Sequence, residues 1–202
     1  KDADISLDPI KDQTVAVIGY GIQGDAQANN MKDSGLKVIV GLKEGSPTWQ
    51  KAKDDGHEVM SVADATKKAD IVHILIPDMV QAKVYKEEIA PNLSDGKALS
   101  FSHAAAIYWK WIDAPENVDL IMVAPKGPGS KVRETYLQNF GTPSIVAVEQ
   151  DKTGKAWDRT LGIAKAIGSA RAGLIQTTFK EEVETDWFGE QADLCGGSAS
   201  MV

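Results

Sequence analysis

Three acidic residues near the end of the chain repeat at a helical spacing. Glu182, Asp186 and Glu190 lie four residues apart, which places them on one helix face with a drift of about 40° per step. Like charges at this spacing repel each other, so a helix keeps them either for solvation or to hold a cation. Mg²⁺ prefers hard oxygen ligands of this kind. The spacing therefore leaves two interpretations, a solvated helix face and a magnesium site.

Two further polar residues follow predicted strands. His103 comes directly after the strand predicted at residues 98–101, and Lys126 lies in a proline- and glycine-rich loop after the strand at 120–123. Ligands of open α/β sheets collect at the carboxyl ends of the strands. His103 is therefore a candidate catalytic residue or a structural histidine, and Lys126 either meets an anionic group or is a solvated lysine. We interpret His57 and His73 as structural.

A glycine-rich turn lies between the first predicted strand and the first predicted helix. Residues 19–24 read GYGIQG, the spacing of a dinucleotide-binding fingerprint in its required context. Gly19 permits the tight turn, Gly21 lets the backbone approach a pyrophosphate, and Gly24 lets the helix pack on the strand. The free N–H groups of the helix would face the phosphates. A purely structural glycine turn is the alternative.

The loop after the second strand contains opposing signals about the cofactor. Lys43, Ser46 and Thr48 suit a 2′-phosphate, whereas Glu44 suits a ribose diol and would repel a phosphate. Ser46 followed by Pro47 also predicts a helix start with Ser46 as N-cap. The choice between NADPH and NADH stays open, with NADPH favoured.

The elements that would position these residues alternate between short β-branched runs and amphipathic runs, as in parallel βαβ units. We predict an α/β fold, a doubly wound, Rossmann-like and mostly parallel sheet, over residues 1–180. An acidic amphipathic helix that begins at residue 181 and ends near residues 196–197 indicates the start of a second, helical unit over 181–202. We predict strands at residues 14–18, 37–40, 59–60, 71–76, 98–101, 120–123 and 144–148, and helices at 26–33, from 46–47, at 61–69, 80–89 and 155–167.

Composition excludes several classes of protein. The 202 residues include 43% hydrophobic and 25% charged residues, with a formal net charge of −7, which argues against a nucleic-acid partner. No apolar run approaches the roughly 20 residues needed to cross a bilayer, and no signal peptide is evident. The single cysteine, Cys195, cannot form an internal disulfide, so we expect a cytoplasmic protein.

Several motifs occur together in a characteristic order, and their combination is more specific than any one of them. They are GYGIQG at 19–24, GLKEGS at 41–46, ILIPD at 74–78, SH at 102–103, MVAPKGPG at 122–129, RAG at 171–173 and TDWFGEQADLCGG at 185–197. With these motifs the chain resembles the ketol-acid reductoisomerase (acetohydroxyacid isomeroreductase) family from about residue 8 to its end. The loop at 125–129 and the helix at 185–197 are the motifs most specific to that family. The resemblance implies that residues 181–202 begin an all-α metal- and substrate-binding domain.

The resemblance implies a reaction and roles for individual residues. Members of the family carry out Mg²⁺-dependent alkyl migration of 2-acetolactate-type substrates and then reduction by NADPH, in valine and isoleucine biosynthesis; NADH is an alternative cofactor. The resemblance implies His103, Lys126 and Glu190 as catalytic residues, and Asp186 and Glu190 as ligands of two Mg²⁺ ions, with Asp186 bridging. The implied cofactor contacts are Gly19, Tyr20, Gly21, Ile22, Gln23, Gly24, Lys43, Ser46, Thr48, Asp78, Met79, Val80, Gln81 and Gly129.

One departure and three functional hypotheses complete the sequence-based predictions. Where the family carries Gly-Phe-Asn after the histidine, this chain carries Ala104, Ala105 and Ala106, so we expect restricted φ beside His103 and a lost amide side chain.

The alternatives to a reductoisomerase are another Rossmann oxidoreductase without metal and a non-catalytic cofactor-binding module. An apolar stripe that includes Val183 and Trp187 predicts a homo-oligomer formed through the C-terminal helical region.

Overall fold

The protein forms a single mixed sheet with helices on both faces. The computed structural model describes residues 2–193, with side chains up to residue 189. The described strands follow the spatial order β3-β2-β1-β4-β5-β6-β7-β8. They are β1 (Thr14–Ile18), β2 (Lys37–Gly41), β3 (Glu58–Met60), β4 (Ile71–Ile74), β5 (Ala98–Phe101), β6 (Asp119–Pro125), β7 (Ser144–Gln150) and β8 (Leu174–Gln176).

The strand order reverses between β1 and β4, which is the switch point of a doubly wound sheet. All strands from β3 to β6 are parallel, whereas β7 runs antiparallel to β6, and β8 is parallel to β7. The prediction of a Rossmann-like, mostly parallel α/β fold is therefore confirmed. Strand β8, which contains only three residues, was not predicted from the sequence.

Nine α-helices are present in the described part of the chain. They are α1 (Ile22–Asp33), α2 (Trp49–Asp54), α3 (Val62–Lys68), α4 (Asp78–Val84), α5 (Ala105–Tyr108), α6 (Gly129–Leu137), α7 (Ala156–Ala166), α8 (Ser169–Ala172) and α9 (Phe179–Asp193). A π-helical turn, Tyr85–Ile89, continues α4. No helix in this range is long and apolar enough to cross a membrane.

The sheet buries both of its faces, as its continuous apolar strands predict. Successive residues of β1 point to opposite sides, so Ala16 and Ile18 join one hydrophobic cluster, and Val15 and Val17 join the other. Phe179 of α9 belongs to the first cluster. The start of α9 is therefore part of the core of the sheet, two residues before the boundary predicted at 180/181.

Two predicted helix starts are wrong. Helix α1 begins at Ile22 and not at residue 26, because it follows directly on the glycine turn with Gly21 as N-cap. Helix α2 begins at Trp49 after Thr48, so Ser46 is not its N-cap. Ser46 belongs to two successive turns, since its N–H donates to Lys43 O and its carbonyl accepts from Trp49 N–H. By contrast, Ser61 caps α3 as predicted, accepting from Asp64 N–H.

Candidate functional site

Two adjoining clefts open at the carboxyl edge of the parallel strands. The larger has a volume of about 950 Å³ and is lined by the loops after β5 and β6 and by α9. The smaller, about 190 Å³, lies between the glycine-turn residue Gln23 and the end of β4. Asp78, Ser102, His103 and Pro125 line both. Ligands in the two clefts would therefore meet at His103.

The glycine turn has the geometry that a dinucleotide phosphate requires. Gly19 has a φ of +100°, which favours glycine, and a Cβ on Gly24 would lie 2.2 Å from Gly19 O. A Cβ on Gly21 would meet no described atom within 4 Å. Gly21 thus presents bare backbone to open space at the start of α1, where N–H groups attract an anion.

Tyr20 and Ile22 occupy opposite environments. The Tyr20 side chain is buried, donates to Asp55 Oδ2 (2.8 Å) and accepts from Asn29 (2.9 Å). It anchors the turn to α1 and to the end of α2, so only its backbone is available to a cofactor. Ile22 is exposed. Gln23 donates to Gly127 O (3.0 Å) and so joins the turn to the Lys126 loop.

The predicted 2′-phosphate loop contains an unused polar group. Lys43 is exposed, as is Glu44, and Thr48 is half-buried. Ser46 Oγ is buried without a hydrogen-bond partner among the described residues. A buried hydroxyl in this state is costly unless a ligand pairs with it. The loop therefore fits a ligand that carries additional hydrogen-bonding oxygens.

The first turn of α4 borders the smaller cleft. Gln81 donates to Asp78 Oδ1 and to Ile76 O, both at 2.9 Å. Its own Oε1 is buried without a partner within the described part of the chain. Met79 is 94% exposed and Val80 is also exposed, so apolar surface is available beside the cleft. These four predicted cofactor residues lie together at the amino end of one helix.

A buried carboxylate holds His103 in place. Glu182, only 1% exposed, lies with Oε1 3.0 Å from His103 Nδ1, and its Oε2 accepts from Ala104 N–H at 2.9 Å. Burial alone would lower the pKa of His103, but the hydrogen bond and charge of Glu182, with Asp78 and Asp186, outweigh it and raise that pKa. His103 thus carries its proton to higher pH than an ordinary histidine. Burial also raises the pKa of Asp78, whose Oδ2 lies 3.9 Å from His103 Nε2.

Lys126 and Asp186 complete the charged wall of the larger cleft. Lys126 Nζ lies 3.2 Å from Asp186 Oδ1 and 3.7 Å from Glu182 Oε1. One ligand atom from each of His103, Glu182 and Asp186 lies within 4.8 Å of the others. Both Glu182 oxygens already accept hydrogen bonds, so Asp186 has the more available oxygens. The carboxylate oxygens of Asp186 fit a hard divalent cation, which prefers oxygen ligands. Glu190 lies in α9 one turn beyond Asp186, but its side chain lies outside the described residues.

Gly129 opens α6 where that helix meets α1. A Cβ on Gly129 would lie 2.2 Å from Ile22 O. The close approach of the two helices therefore explains this glycine without a ligand. Its predicted contact with the nicotinamide stays a prediction.

Alanine replaces the family's glycine beside the histidine without backbone strain. Ala104 has a φ of −91°, a value that any residue adopts. Ala104, Ala105 and Ala106 are all buried against the core.

The site contains one residue that the sequence analysis did not assign. Glu182 was recognised as part of the acidic face but not as a site residue. Its only sequence signal is the four-residue spacing from Asp186. The signal cannot show which carboxylate turns inward, because that depends on the approach of the His103 loop from another part of the chain.

The doubly wound sheet, the glycine turn and the cleft beside it define a Rossmann-type nucleotide-binding domain. Residues 9–173 match the family described as acetohydroxy acid isomeroreductase, NADPH-binding domain. The chain belongs to this family, and the resemblance inferred from the motifs is confirmed.

Curated relatives and solved structures agree with this assignment. The chain is 86% identical to the ketol-acid reductoisomerase (NADP(+)) of Nitrosopumilus maritimus and 81% identical to that of Cenarchaeum symbiosum, in each case over the whole chain. It spans 61% of the length of each relative. An NADH-preferring ketol-acid reductoisomerase from an uncultured archaeon superposes with a TM-score of 0.95 at 48% identity, over 99% of this chain and 62% of that one.

A more distant structure shares the fold alone. An NAD-binding semialdehyde dehydrogenase protein from Cupriavidus necator superposes with a TM-score of 0.76 at 21% identity, over 94% of this chain and 71% of that one.

Proposed function

We propose that the chain binds NADPH at the glycine turn and that the full-length protein is a ketol-acid reductoisomerase. It would convert a 2-acetolactate-type substrate to a 2,3-dihydroxy acid, by alkyl migration and then hydride transfer, in valine and isoleucine biosynthesis. The observation that carries the proposal is the junction of the two clefts at His103. A hydride donor in the smaller cleft would lie beside a substrate held among charged groups in the larger one.

Asp186 and Glu190 would hold magnesium, and two ions are expected in the complete enzyme. Mg²⁺, when bound, supplies Lewis-acid polarisation of the carbonyl and hydroxyl oxygens of the substrate. The ammonium group of Lys126 stabilises negative charge on the same oxygens. Glu182 fixes the imidazole of His103 through Nδ1, which leaves Nε2 to exchange a proton with the substrate.

NADPH is the cofactor that the loop after β2 favours. The unpaired Ser46 hydroxyl and the exposed Lys43 offer a donor and a positive charge to a 2′-phosphate. Glu44 would oppose them and would accept from the diol of NADH. The NADP(+) relatives support NADPH, whereas the NADH-preferring structural neighbour keeps NADH as an alternative. The difference between the NADPH and NADH affinities shows which cofactor the loop prefers.

The first experiment is calorimetric titration of the full-length protein with NADPH and NADH, followed by turnover of 2-acetolactate with and without Mg²⁺. Binding with Mg²⁺-dependent turnover supports the proposal. NADPH binding without turnover at any Mg²⁺ concentration would instead indicate a non-catalytic cofactor-binding module. Turnover that does not respond to Mg²⁺ or to a chelator would contradict the role given to Asp186.

Two glycine variants separate cofactor binding from folding. Gly21→Ala places a methyl group in open space, so the fold should persist while the pyrophosphate is excluded, and NADPH affinity should fall at least about tenfold. Gly35→Ala is a poor control because Gly35 has a φ of +89°. Gly189→Ala, in α9 with no described atom within 4 Å, adds a methyl group to the wall of the larger cleft, outside the smaller one; it is the control and should leave NADPH affinity unchanged. Wild-type affinity in Gly21→Ala would contradict binding at this turn.

We further propose a cytoplasmic homo-oligomer formed through the C-terminal helical region. Of the predicted apolar stripe, Trp187 is exposed, whereas Val183 is buried in the core and is not available to a partner. Phe188 is also exposed, and Trp187 lies 5.4 Å from Trp109 between ring centroids. Exposed aromatic surface of this kind favours association. Analytical ultracentrifugation of the full-length protein tests this, and a monomer at all concentrations would contradict it.

A further inference from the structure

A chain of buried hydrogen bonds runs from the centre of the sheet to the two loops that carry His103 and Lys126. It begins at His73, in the middle of β4, whose side chain is completely buried. His73 Nδ1 lies 2.8 Å from Ser100 Oγ on the neighbouring strand, and Nε2 lies 2.9 Å from Gln27 Oε1 in α1. The Gln27 amide then donates at 3.1 Å both to Gln23 and to Ser102.

The donor and the acceptor of each of these hydrogen bonds follow from the groups around Ser102. The single hydroxyl proton of Ser102 is donated to Val123 O at 2.8 Å, so Ser102 must accept from the Gln27 amide. Gln27 therefore presents its nitrogen to Ser102 and its oxygen to His73. It follows that His73 carries its proton on Nε2, and that Ser100 donates its hydroxyl to the bare Nδ1.

The two ends of this chain of hydrogen bonds lie next to the proposed catalytic residues. Ser102 immediately precedes His103. Gln23 donates a hydrogen bond to Gly127 O, and Gly127 immediately follows Lys126. One amide group, that of Gln27, is therefore bonded to both branches and is itself set by His73.

We propose that Gln27, oriented by His73 and Ser100, is a positioning residue that holds the His103 and Lys126 loops in register with the glycine turn. This inference rests on the proposed function, since it concerns the same two loops. Gln27 itself lines neither of the two clefts. It acts through Ser102 and Gln23, which do.

The free-energy cost of burying these polar side chains supports a role beyond packing. Gln27, His73 and Ser100 are all completely buried, and apolar side chains of similar volume would fill a sheet centre without any polar group to satisfy. Hydrogen bonds among these amide, imidazole and hydroxyl groups instead hold the side chains in one specific arrangement. Burial lowers the pKa of His73 to about 4, so the imidazole stays neutral near neutral pH and the bond directions do not reverse.

The test compares three variants of the full-length enzyme. Gln27→Met keeps the volume and removes the hydrogen bonds, and kcat should fall by about 10- to 100-fold, the effect of misplaced catalytic groups. NADPH affinity should change much less, because the phosphates meet backbone groups of the turn. Ser100→Ala, which touches neither cleft, should give a smaller decrease in kcat. Thr160→Val is the matched control, because Thr160 is equally buried and bonds only within α7; it should lower stability and leave kcat unchanged.

Hydrogen exchange separates this inference from the proposed function. The amides of Ala104 and Lys126 are hydrogen-bonded, to Glu182 and to Pro143 O respectively, so their exchange reports the order of the two loops. Gln27→Met should accelerate both, and Thr160→Val neither. Failure of the wild-type enzyme to turn over 2-acetolactate would refute the proposed function and leave this readout intact. Unchanged exchange, or wild-type kcat in both Gln27→Met and Ser100→Ala, would overturn the positioning role.

Discussion

Acidification should destabilise the protein through His73. Burial lowers the pKa of this histidine from 6.5 to about 4. The unfolded chain therefore binds a proton near pH 6.5, and the folded protein does so only near pH 4. Because the unfolded state binds more protons in this interval, the contribution of His73 to stability is complete above pH 6.5 and is lost as the pH falls towards 4.

The size of the effect follows from the two pKa values. A difference of one pKa unit between folded and unfolded chains corresponds to about 1.4 kcal/mol, so the gap for His73 amounts to about 3 kcal/mol. His57, whose pKa is also lowered by burial, acts in the same direction. His103 acts in the opposite direction, because its pKa is raised.

Paired variants isolate the contribution of His73. Urea unfolding of the wild type and of His73→Gln is measured at several values between about pH 7 and pH 4.5, where histidine titrates. Glutamine does not titrate and keeps a donor for Gln27. The two free energies of unfolding should converge as the pH falls, because only the wild type loses the contribution of His73. Thr160→Val, which removes a buried hydroxyl and no titratable group, is the control and should differ from the wild type by the same amount at every pH. Parallel curves for the wild type and His73→Gln would refute the reasoning.

Three further substitutions test individual interactions through the free energy of unfolding in urea. Asp119→Asn breaks the buried ion pair with Arg159 (2.7 Å) and should cost about 3 to 5 kcal/mol; a loss below about 1 kcal/mol, typical of exposed pairs, would contradict this. Lys97→Met removes the ammonium group that donates to three carbonyls at the end of α3 and should cost about 2 to 3 kcal/mol, so wild-type stability would be unexpected. Ser61→Ala removes the α3 cap and should cost about 1 kcal/mol, with little loss expected in Ser61→Thr, which keeps the hydroxyl that also donates to Asp64 Oδ2.

The elements with the strongest local signals were predictable from sequence. The β-branched run at residues 14–18 and the strand at 98–101 have the predicted limits, because apolar side chains on both faces identify buried parallel strands. The glycine turn was equally clear, because its spacing reflects close contacts that only glycine permits. The direction of β7 was not predictable, since an antiparallel strand with buried faces has the same residue pattern.

The parts that failed depend on contacts distant in sequence. Ser46 has the residue type of a helix cap, yet nothing local distinguishes a cap from a residue shared by two turns. Glu182 differs from Asp186 only through the approach of Ala104 and His103 across 78 residues or more. Gln27, likewise, meets His73 across 46 residues. Such pairings are set by tertiary packing, which no short-range pattern encodes.

Helix α9 contributes to the core and to the cleft with adjacent turns. Phe179 and Val183 are buried under the sheet, while Asp186 borders the larger cleft. If a ligand binds Asp186 only while α9 is docked on the sheet, its binding stabilises the docked state of α9. The stabilisation is about 2.7 kcal/mol when the free ligand concentration is a hundred times Kd. Occupancy of the cleft and docking of α9 are therefore linked, and if the proposed cation binds Asp186, the thermal stability of α9 would rise with the cation concentration.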